Sequence, residues 1–183
     1  MNPRAVDPGC TRCGLSGTRT QVVPGKGDRG ARLVLVGEAP GRDEDLAGQP
    51  FVGRAGRILD RALVEAGIDR GPLFITNLVK CRPPGNRRPR PEEALACMPQ
   101  LEAEIREVRP RAVVLLGLSA AKHVLGREGR IADLASSEHE AVLGGVRVRV
   151  FVTYHPAACI YGKDRVHRLA EALRLGAEAA GLI

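Results

Sequence analysis

Three short, largely apolar runs, separated by helical patterns, most constrain the fold of this chain. They are residues 33–36, 73–79 and 112–116. The last is wholly apolar, which is typical of a strand that helices cover on both faces. Strands that alternate with helices predict an α/β domain in three layers, with a mostly parallel central sheet.

The remaining segments supply the flanking elements of this domain. Residues 141–152 predict a hairpin that turns at Gly144-Gly145. The length of 183 residues suits one domain with a full core, so we expect a single domain over residues 1–183, with segment 1–31 packed on it. The spacing of apolar residues, with proline and glycine at helix boundaries, predicts helices at 55–66, from Pro91 to before Pro110, at 119–125 and at 164–180.

Composition and charge narrow the class of protein. Hydrophobic residues make up 44% of the chain, as in globular proteins, and the N-terminus lacks the apolar stretch of a secretory signal, so we expect a cytoplasmic protein. The net charge is +7, and only four of the 28 basic residues are lysines. Such a charge favours a polyanionic partner such as nucleic acid, although solvated surface arginines would give the same count.

The five cysteines suggest a metal site. Cys10 and Cys13 form a C-x2-C turn, and Cys81 and Cys97 each lie close to proline. Four thiolates can close a tetrahedral zinc site or hold an iron–sulfur cluster, and the spacing does not distinguish the two. Unrelated reduced thiols are the alternative. Cys159 reads as a small buried hydrophobe and not as a fifth ligand.

Polar residues follow the predicted strands where each strand ends. Gly37-Glu38 comes after the first strand, Asn77 lies in the second, and His155 follows the second arm of the hairpin. Ligands bind at the carboxyl ends of parallel strands, so these residues predict a site at one edge of the sheet.

Taken singly, the same residues have ordinary readings. GEAPG lacks the spacing of a dinucleotide or phosphate loop, and residues 43–45 favour a solvated turn over a metal site. Phe51 alone reads as a core aromatic, and Asn77 alone reads as a strand-end residue that bonds to the backbone. Only their combination is specific.

That combination resembles the family 4 uracil-DNA glycosylases. The matching stretches are GEAPGRDEDLAGQPFVGRAG, TNLVKCRPPGNRRP and YHPAA, in that order, together with the four cysteines, from Cys10 to about Arg165. The resemblance implies a four-stranded parallel sheet between helices and hydrolysis of the bond between uracil and deoxyribose. It also implies a [4Fe–4S] cluster, with the ligands Cys10, Cys13, Cys81 and Cys97.

The resemblance also implies how the base is recognised and released. An enzyme that acts on a base takes it out of the stack into a pocket. Phe51 would stack on the flipped uracil, and the Asn77 amide would pair with O4 and N3–H. His155 would donate a hydrogen bond to O2 and stabilise the negative charge that develops on the departing base.

The GEAPG loop would contribute Gly37, Ala39 and Gly41 to the pocket. In better-known uracil glycosylases an aspartate occupies the position of Ala39, so Glu38 becomes the candidate that activates water or stabilises the sugar cation. Those enzymes exclude the methyl group of thymine with a bulky tyrosine at the position of Gly41. Here the family pattern suggests that Glu44 supplies that bulk.

DNA contacts are expected from two loops. The loop that follows Cys81 would grip phosphates, with the cluster serving to hold it. Residues 157–161 would face the minor groove and fill the gap left by the flipped base, and Ile160 and Tyr161 are the DNA-binding residues predicted there. The phosphate-gripping side chains would be Arg82, Arg87, Arg88 and Arg90.

Reaction type and partners follow from the same comparison. A related branch forms a covalent bond to abasic DNA through a histidine in an inserted loop, but this chain has no histidine before Arg111. The only lysine near the predicted site is Lys80, which favours a monofunctional glycosylase.

We expect a monomer acting on single- or double-stranded DNA. Two alternatives stay open: a glycosylase that prefers another base such as hypoxanthine, and a non-catalytic, four-cysteine nucleic-acid-binding module.

Overall fold

The protein forms an α/β domain with one mixed sheet. The computed structural model describes residues 6–135, 137–160 and 162–183, apart from the side chain of Lys163. The strands are β1 (Lys26–Gly27), β2 (Leu33–Gly37), β3 (Leu73–Asn77), β4 (Ala112–Leu116), β5 (His139–Leu143) and β6 (Val146–Thr153). The α-helices are α1 (Arg42–Ala47), α2 (Arg54–Glu65), α3 (Pro91–Val108), α4 (Leu118–Leu125), α5 (Ile131–Leu134) and α6 (Lys163–Ala180). Short 3-10 turns lie at Gly14–Gly17, Pro84–Asn86 and Pro156–Cys159.

The sheet has six strands in the order β1-β3-β2-β4-β6-β5. The four central strands are parallel, and β1 and β5 pair antiparallel at the two edges. The α/β class is confirmed, and the predicted four strands are the parallel centre of a larger sheet. The edge strands extend it because β5 is the first arm of the predicted hairpin and β1 is a two-residue pairing that carries no periodic signal.

Helices cover both faces of the sheet. Alternate residues of β2 divide between the two layers, since Val34 and Val36 pack with α3 and α4 while Leu33 and Leu35 pack with α2 and α6. A strand buried on both faces has no polar side, which explains the apolar runs of the central strands. In the described part of the chain, no helix combines the length and apolar character that a membrane crossing requires.

The predicted helices are confirmed to within a residue at their starts, but the acidic segment at 43–45 is not a solvated turn. It forms α1, and Glu44 and Asp45 are 8% and 2% exposed. Asp45 accepts hydrogen bonds from the backbone N–H groups of Thr20 and Gln21. A carboxylate that accepts several backbone N–H groups can be buried, and composition alone does not reveal this.

Helix α6 lies so close to the sheet that one position excludes a side chain. A Cβ atom at Gly176 would stand 2.5 Å from Cγ2 of Val114 and 3.3 Å from Cδ1 of Leu33. Glycine in an exposed helix interior normally costs stability relative to alanine. Here the close approach of helix and sheet reverses that preference.

We predict that Gly176→Ala lowers the free energy of unfolding by about 1–3 kcal/mol, because the added methyl group overpacks the core. Gly17→Ala is the matched control, since a Cβ there meets nothing within 4 Å. Urea unfolding of both variants tests this. An unchanged or raised midpoint for Gly176→Ala would contradict the close packing.

Candidate active site and cysteine cavity

The carboxyl ends of β2, β3 and β6 open into one cavity of about 340 Å³. Parallel pairing sets Gly37 beside Asn77 at the last register position of β2 and β3, and His155 follows the end of β6 by two residues. Of the predicted pocket residues, the cavity is lined by Glu38, Ala39, Gly41, Glu44, Phe51, Asn77 and His155. The convergence of strand ends predicted from the sequence is therefore present.

Asn77 brings an unpaired polar atom to this cavity. The residue is 3% exposed, and its Oδ1 atom is the buried side-chain acceptor without a hydrogen-bond partner in the described part of the chain. Buried polar groups are almost always paired, so an unpaired one at a cavity points to a ligand group that completes it. Asn77 faces β2 at a glycine, and a Cβ atom at Gly37 would stand 2.5 Å from Cζ of Phe51.

Phe51 forms an aromatic wall next to the amide. It is buried, has a positive φ of 53°, and its carbonyl accepts a hydrogen bond of 3.2 Å from Nη2 of Arg70. The centroids of the Phe51 and His155 rings are 5.9 Å apart. The left-handed region is unfavourable for a bulky residue, so the surrounding contacts, among them the Arg70 hydrogen bond, have to hold Phe51 in this conformation.

The tautomer of His155 follows from its own turn. Pro156 holds His155 in an extended conformation, and Nδ1 of the ring accepts a hydrogen bond of 3.1 Å from the backbone N–H of Ala157. Burial lowers the pKa of His155 to about 4, with the nearby Glu44 carboxylate opposing it. The ring is therefore neutral at pH 7, and its proton lies on Nε2.

Glu38 lies half-buried beside these groups. Burial raises its pKa, while Arg88, a hydrogen bond from Ser119 and the charge of His123 work in the opposite direction. The carboxylate therefore lies at the end of an apolar strand, where nearby positive charge partly offsets the effect of burial on its pKa. Such surroundings are typical of functional carboxylates.

Glu44 is a structural anchor of the cavity wall. Its Oε2 accepts from the N–H of Gly41 at 3.1 Å, and its Oε1 accepts from Val52 at 3.1 Å and Gly53 at 2.8 Å. Both carboxylate oxygens are engaged, so one side chain joins the GEAPG loop to the segment that carries Phe51. A Cβ atom at Gly41 would stand 2.8 Å from Oε2, so Glu44 occupies the space beside that glycine.

The arginines of the loop after Cys81 divide into two groups. Arg87 forms a two-pronged ion pair with Glu93, at 2.6 and 2.8 Å, so its charge holds the loop on the start of α3. Arg88 and Arg90 are exposed, and Arg82 is half-buried and donates to Asn86. Ile160 is half-buried, and Tyr161 lies outside the described residues.

Four of the cysteines share one small cavity. It is lined by Cys10, Cys13, Cys81 and Cys97, whereas Cys159 is buried at the far end of the 3-10 turn that follows His155. Two of the sulfurs receive hydrogen bonds: Arg19 donates to Cys81 at 3.4 Å, and the N–H of Lys80 donates to Cys97 at 3.3 Å. Among the described residues, no three ligating side chains stand at the spacing of a bound metal ion.

The chemistry of this donor set nevertheless suits an iron–sulfur group. Burial raises the pKa of Cys97 and raises that of Cys81 to about 11, and the neighbouring thiols contribute in the same direction. Buried thiols this close to one another repel as thiolates unless a cation joins them. N–H donors aimed at sulfur are the usual surroundings of iron–sulfur ligands.

Sequence reasoning missed several features of this region. Pro83, Asn86 and Arg54 are among the further residues that line the main cavity, and the lysine of a buried Lys80–Glu104 ion pair donates to the backbone carbonyl of Asn77. The cavity residues left no periodic signal because they lie in loops and at a helix start. The ion pair joins residues 24 apart in the chain, so no local pattern reveals it.

Comparison with known proteins agrees with this geometry. The model of the uracil DNA glycosylase superfamily matches residues 24–175. Type-4 uracil-DNA glycosylase of Pyrobaculum aerophilum is 44% identical over 155 residues, covering 82% of this chain and 79% of that protein. The type-4 enzyme of Archaeoglobus fulgidus is 43% identical over 156 residues, covering 83% of this chain and 78% of its own length. The type-4 enzyme of Thermotoga maritima is 43% identical over 150 residues, covering 81% of this chain and 76% of its own length. The resemblance seen in the motifs is thereby confirmed: the chain belongs to the uracil-DNA glycosylase superfamily and is similar over most of its length to the type-4 enzymes.

Proposed function

We propose that this protein excises uracil from DNA by hydrolysing the bond between the base and deoxyribose, which leaves an abasic site. The observation that carries the proposal is the unpaired, buried Oδ1 of Asn77 in the cavity at the strand ends. Type-4 uracil-DNA glycosylases are its relatives over most of the chain. In double-stranded DNA the base is stacked inside the helix, so the nucleotide has to be turned out into this cavity before it can react.

Asn77 and Phe51 recognise the base. Uracil offers an acceptor at O4 and a donor at N3–H, which match the amide N–H and the unpaired Oδ1 of Asn77. Cytosine offers the opposite pattern at these two positions, and a site built to pair one pattern rejects the other strongly. The Phe51 ring supplies a stacking surface for the flipped base.

His155 stabilises the departing base. As the bond from N1 to C1′ breaks, its electron pair moves into the uracil ring and negative charge grows on O2. A neutral imidazole with its proton on Nε2 can donate a hydrogen bond to that oxygen, and this charge is greater in the transition state than in the ground state.

Glu38 acts on the other side of the reacting carbon. Its carboxylate orients the attacking water and accepts its proton, or stabilises the positive charge on the sugar; either role requires the ionised form. The water oxygen forms the new bond to C1′. Ala39 has no group that could do this, and the adjacent Glu38, which lines the cavity, is the candidate carboxylate.

Glu44 sets the shape of the pocket wall. Its side chain fills the space beside Gly41 and is fixed there by three backbone N–H groups. We propose that this rigid wall limits bulk at C5 of the base, so that thymine is excluded.

DNA is held by the loop that follows Cys81. Arg88 and Arg90 are exposed and can contact phosphates, and Arg82 can do so on releasing Asn86. Arg87 serves to fix the loop through Glu93. Residues 157–160, with Ile160, would lie at the gap left by the flipped base. We expect a monomer that meets its substrate at the nucleoid.

We further propose that Cys10, Cys13, Cys81 and Cys97 hold a [4Fe–4S] cluster. When bound, the cluster supplies four iron–thiolate bonds that fix distant segments, and hydrolysis requires no electron from it. The loop of residues 82–90, called the arginine loop below, begins after Cys81 and leads into α3, which carries Cys97. The four ligands would therefore clamp both ends of that loop to the N-terminal segment.

The first of four predictions from the proposed function concerns excision itself. Wild-type protein should release uracil from an oligonucleotide with one uracil, detected by alkaline cleavage at the abasic site. Asn77→Ala and His155→Ala should each lose about 100-fold or more in rate, as expected for removal of a transition-state hydrogen bond. His167→Ala, on the exposed face of α6, is the matched control and should retain full activity. Turnover of hypoxanthine in place of uracil, or binding without turnover, would contradict the proposal.

The second prediction concerns pH. Glu38 must be ionised and its pKa is raised, so the rate should fall as pH decreases, beginning at a higher pH than for an exposed glutamate. His155 stays neutral down to about pH 4 and should add no inflection between about pH 5 and 8. Glu38→Gln should be slow and should lack the acidic limb of the profile. A rate that rises towards acid would show that a charged histidine is the active form.

The pKa of His155 also bears on stability. Its folded value lies below the unfolded one, so between about pH 6.5 and 4 the unfolded chain binds more protons and the free energy of unfolding falls as pH decreases. His155→Ala should weaken this dependence, which can be measured by denaturant unfolding at several pH values.

The fourth prediction concerns the cysteines. Cys97→Ser should abolish the visible iron–sulfur absorption and bound iron, and should expose the arginine loop to trypsin, because one of its anchors is lost. Cys159→Ser is the control, since this thiol lies outside the cavity of the other four. Zinc and no iron in the anaerobically purified protein would overturn the cluster assignment.

A further inference from the structure

Lys80 is a buried charge that the proposed chemistry does not use. Its side chain is 0% exposed, and Nζ donates three hydrogen bonds of 2.6 Å. The acceptors are Oγ1 of Thr76, the backbone carbonyl of Asn77 and Oε2 of Glu104. Lys80 is not among the residues that line the main cavity, and its three ammonium N–H donors are all engaged, which agrees with a monofunctional enzyme.

A buried ion pair of this kind calls for a reason other than stability. Removing two charges from water costs free energy that their attraction only partly returns, and well-packed apolar residues often serve the core as well. The pair also belongs to a larger network, since Oε2 of Glu104 accepts from Thr76 at 2.7 Å and Oε1 accepts from the N–H of Gly25 at 2.6 Å.

The network fixes the peptide that carries the base-reading amide. Asn77 is the last residue of β3, and its register partner Gly37 is the last of β2. The peptide that joins Asn77 to Leu78 is held on both sides: its N–H, on Leu78, donates to the carbonyl of Gly37 at 2.9 Å, and its carbonyl, on Asn77, accepts from Nζ of Lys80 at 2.6 Å. Because the direction of a side chain follows from its backbone, the Lys80 bond helps to set where the Asn77 amide points.

The same network reaches the cysteine cavity. The backbone N–H of Lys80 donates to Sγ of Cys97, and Cys97 and Glu104 lie two turns apart on α3. Lys80 therefore contacts α3 at two points, through its backbone N–H at Cys97 and its ammonium group at Glu104. The same ammonium group also bonds to Thr76 and Asn77 of β3. Through this residue the helix that carries Cys97 and the strand that carries Asn77 are joined.

We propose that Lys80 is a positioning residue for Asn77, and that the buried Lys80–Glu104 pair thereby sets how well the enzyme aligns uracil. The inference rests on the proposed uracil excision. It assigns Lys80 no contact with the substrate. Its effect has to pass through the Asn77 amide, and that requirement makes it testable.

The test is a double-mutant cycle. Lys80→Met combined with Glu104→Gln removes both charges while Gln keeps an acceptor for Gly25. In single-turnover excision with excess cluster-loaded enzyme, this variant should lose about 10- to 100-fold in rate, as expected for a displaced binding group. In an Asn77→Ala background, where no amide remains to be positioned, the same change should cost less than about 3-fold.

Leu101→Ala is the matched control. Leu101 is buried on the same helix and makes a core contact with no hydrogen bond in the network, so its effect on rate should be the same factor in both backgrounds. Visible absorption of the cluster and the unfolding midpoint are measured for every variant. Thr76→Val, which removes one hydroxyl of the network, is the milder variant if the charge-neutral pair fails to fold, and should show a smaller loss with the same non-additivity.

Each outcome decides a different question. Wild-type protein that releases no uracil overturns the proposed function, and the role of Lys80 with it. Active wild type with equal losses in the two backgrounds overturns the positioning role alone, because Lys80 would then support only the fold. A loss that vanishes in the Asn77→Ala background, with the cluster spectrum intact, supports it.

Discussion

The parallel pairing of β2 with β3 is the constraint on which the rest of the site depends. It sets Gly37 opposite Asn77, and the missing side chain at Gly37 leaves room for both the amide and the Phe51 ring. A register shift of one residue would turn Asn77 to the other face of the sheet. The remaining groups are then added by loops that begin where the paired strands stop.

Burial, more than pairing of charges, decides the protonation states in the cavity. It keeps His155 neutral and raises the pKa of Glu38, whereas Glu44 is surrounded by backbone N–H groups. Three acidic or basic side chains within one cavity therefore have three different environments. In the mechanism proposed above, these environments would let His155 donate a hydrogen bond, Glu38 act on water and Glu44 hold the cavity wall.

The sequence predicts the layers and the strand ends well because both depend on local patterns. Apolar runs indicate strands that are covered on two faces, and the polar residues that follow them indicate the candidate active site. The burial of Glu44 and Asp45 and the pairing of Arg87 with Glu93 could not be predicted, since each depends on which backbone or charge the fold brings near. The same is true of Lys80 and Glu104, and of β1, whose two residues have no pattern of their own. Where the pattern around a single residue was ambiguous, the resemblance of the motifs supplied the predicted role.

The unpaired oxygen of Asn77 has a consequence for how this protein can change. A buried acceptor without a partner makes the free protein less stable than an apolar residue of similar shape would, by about 1–3 kcal/mol. In the proposed function, N3–H of uracil would pair with this oxygen and remove that penalty, so part of the free energy of base binding would offset an instability of the free protein. Selection for a more heat-resistant chain would act against the amide at position 77, while selection for repair would retain it.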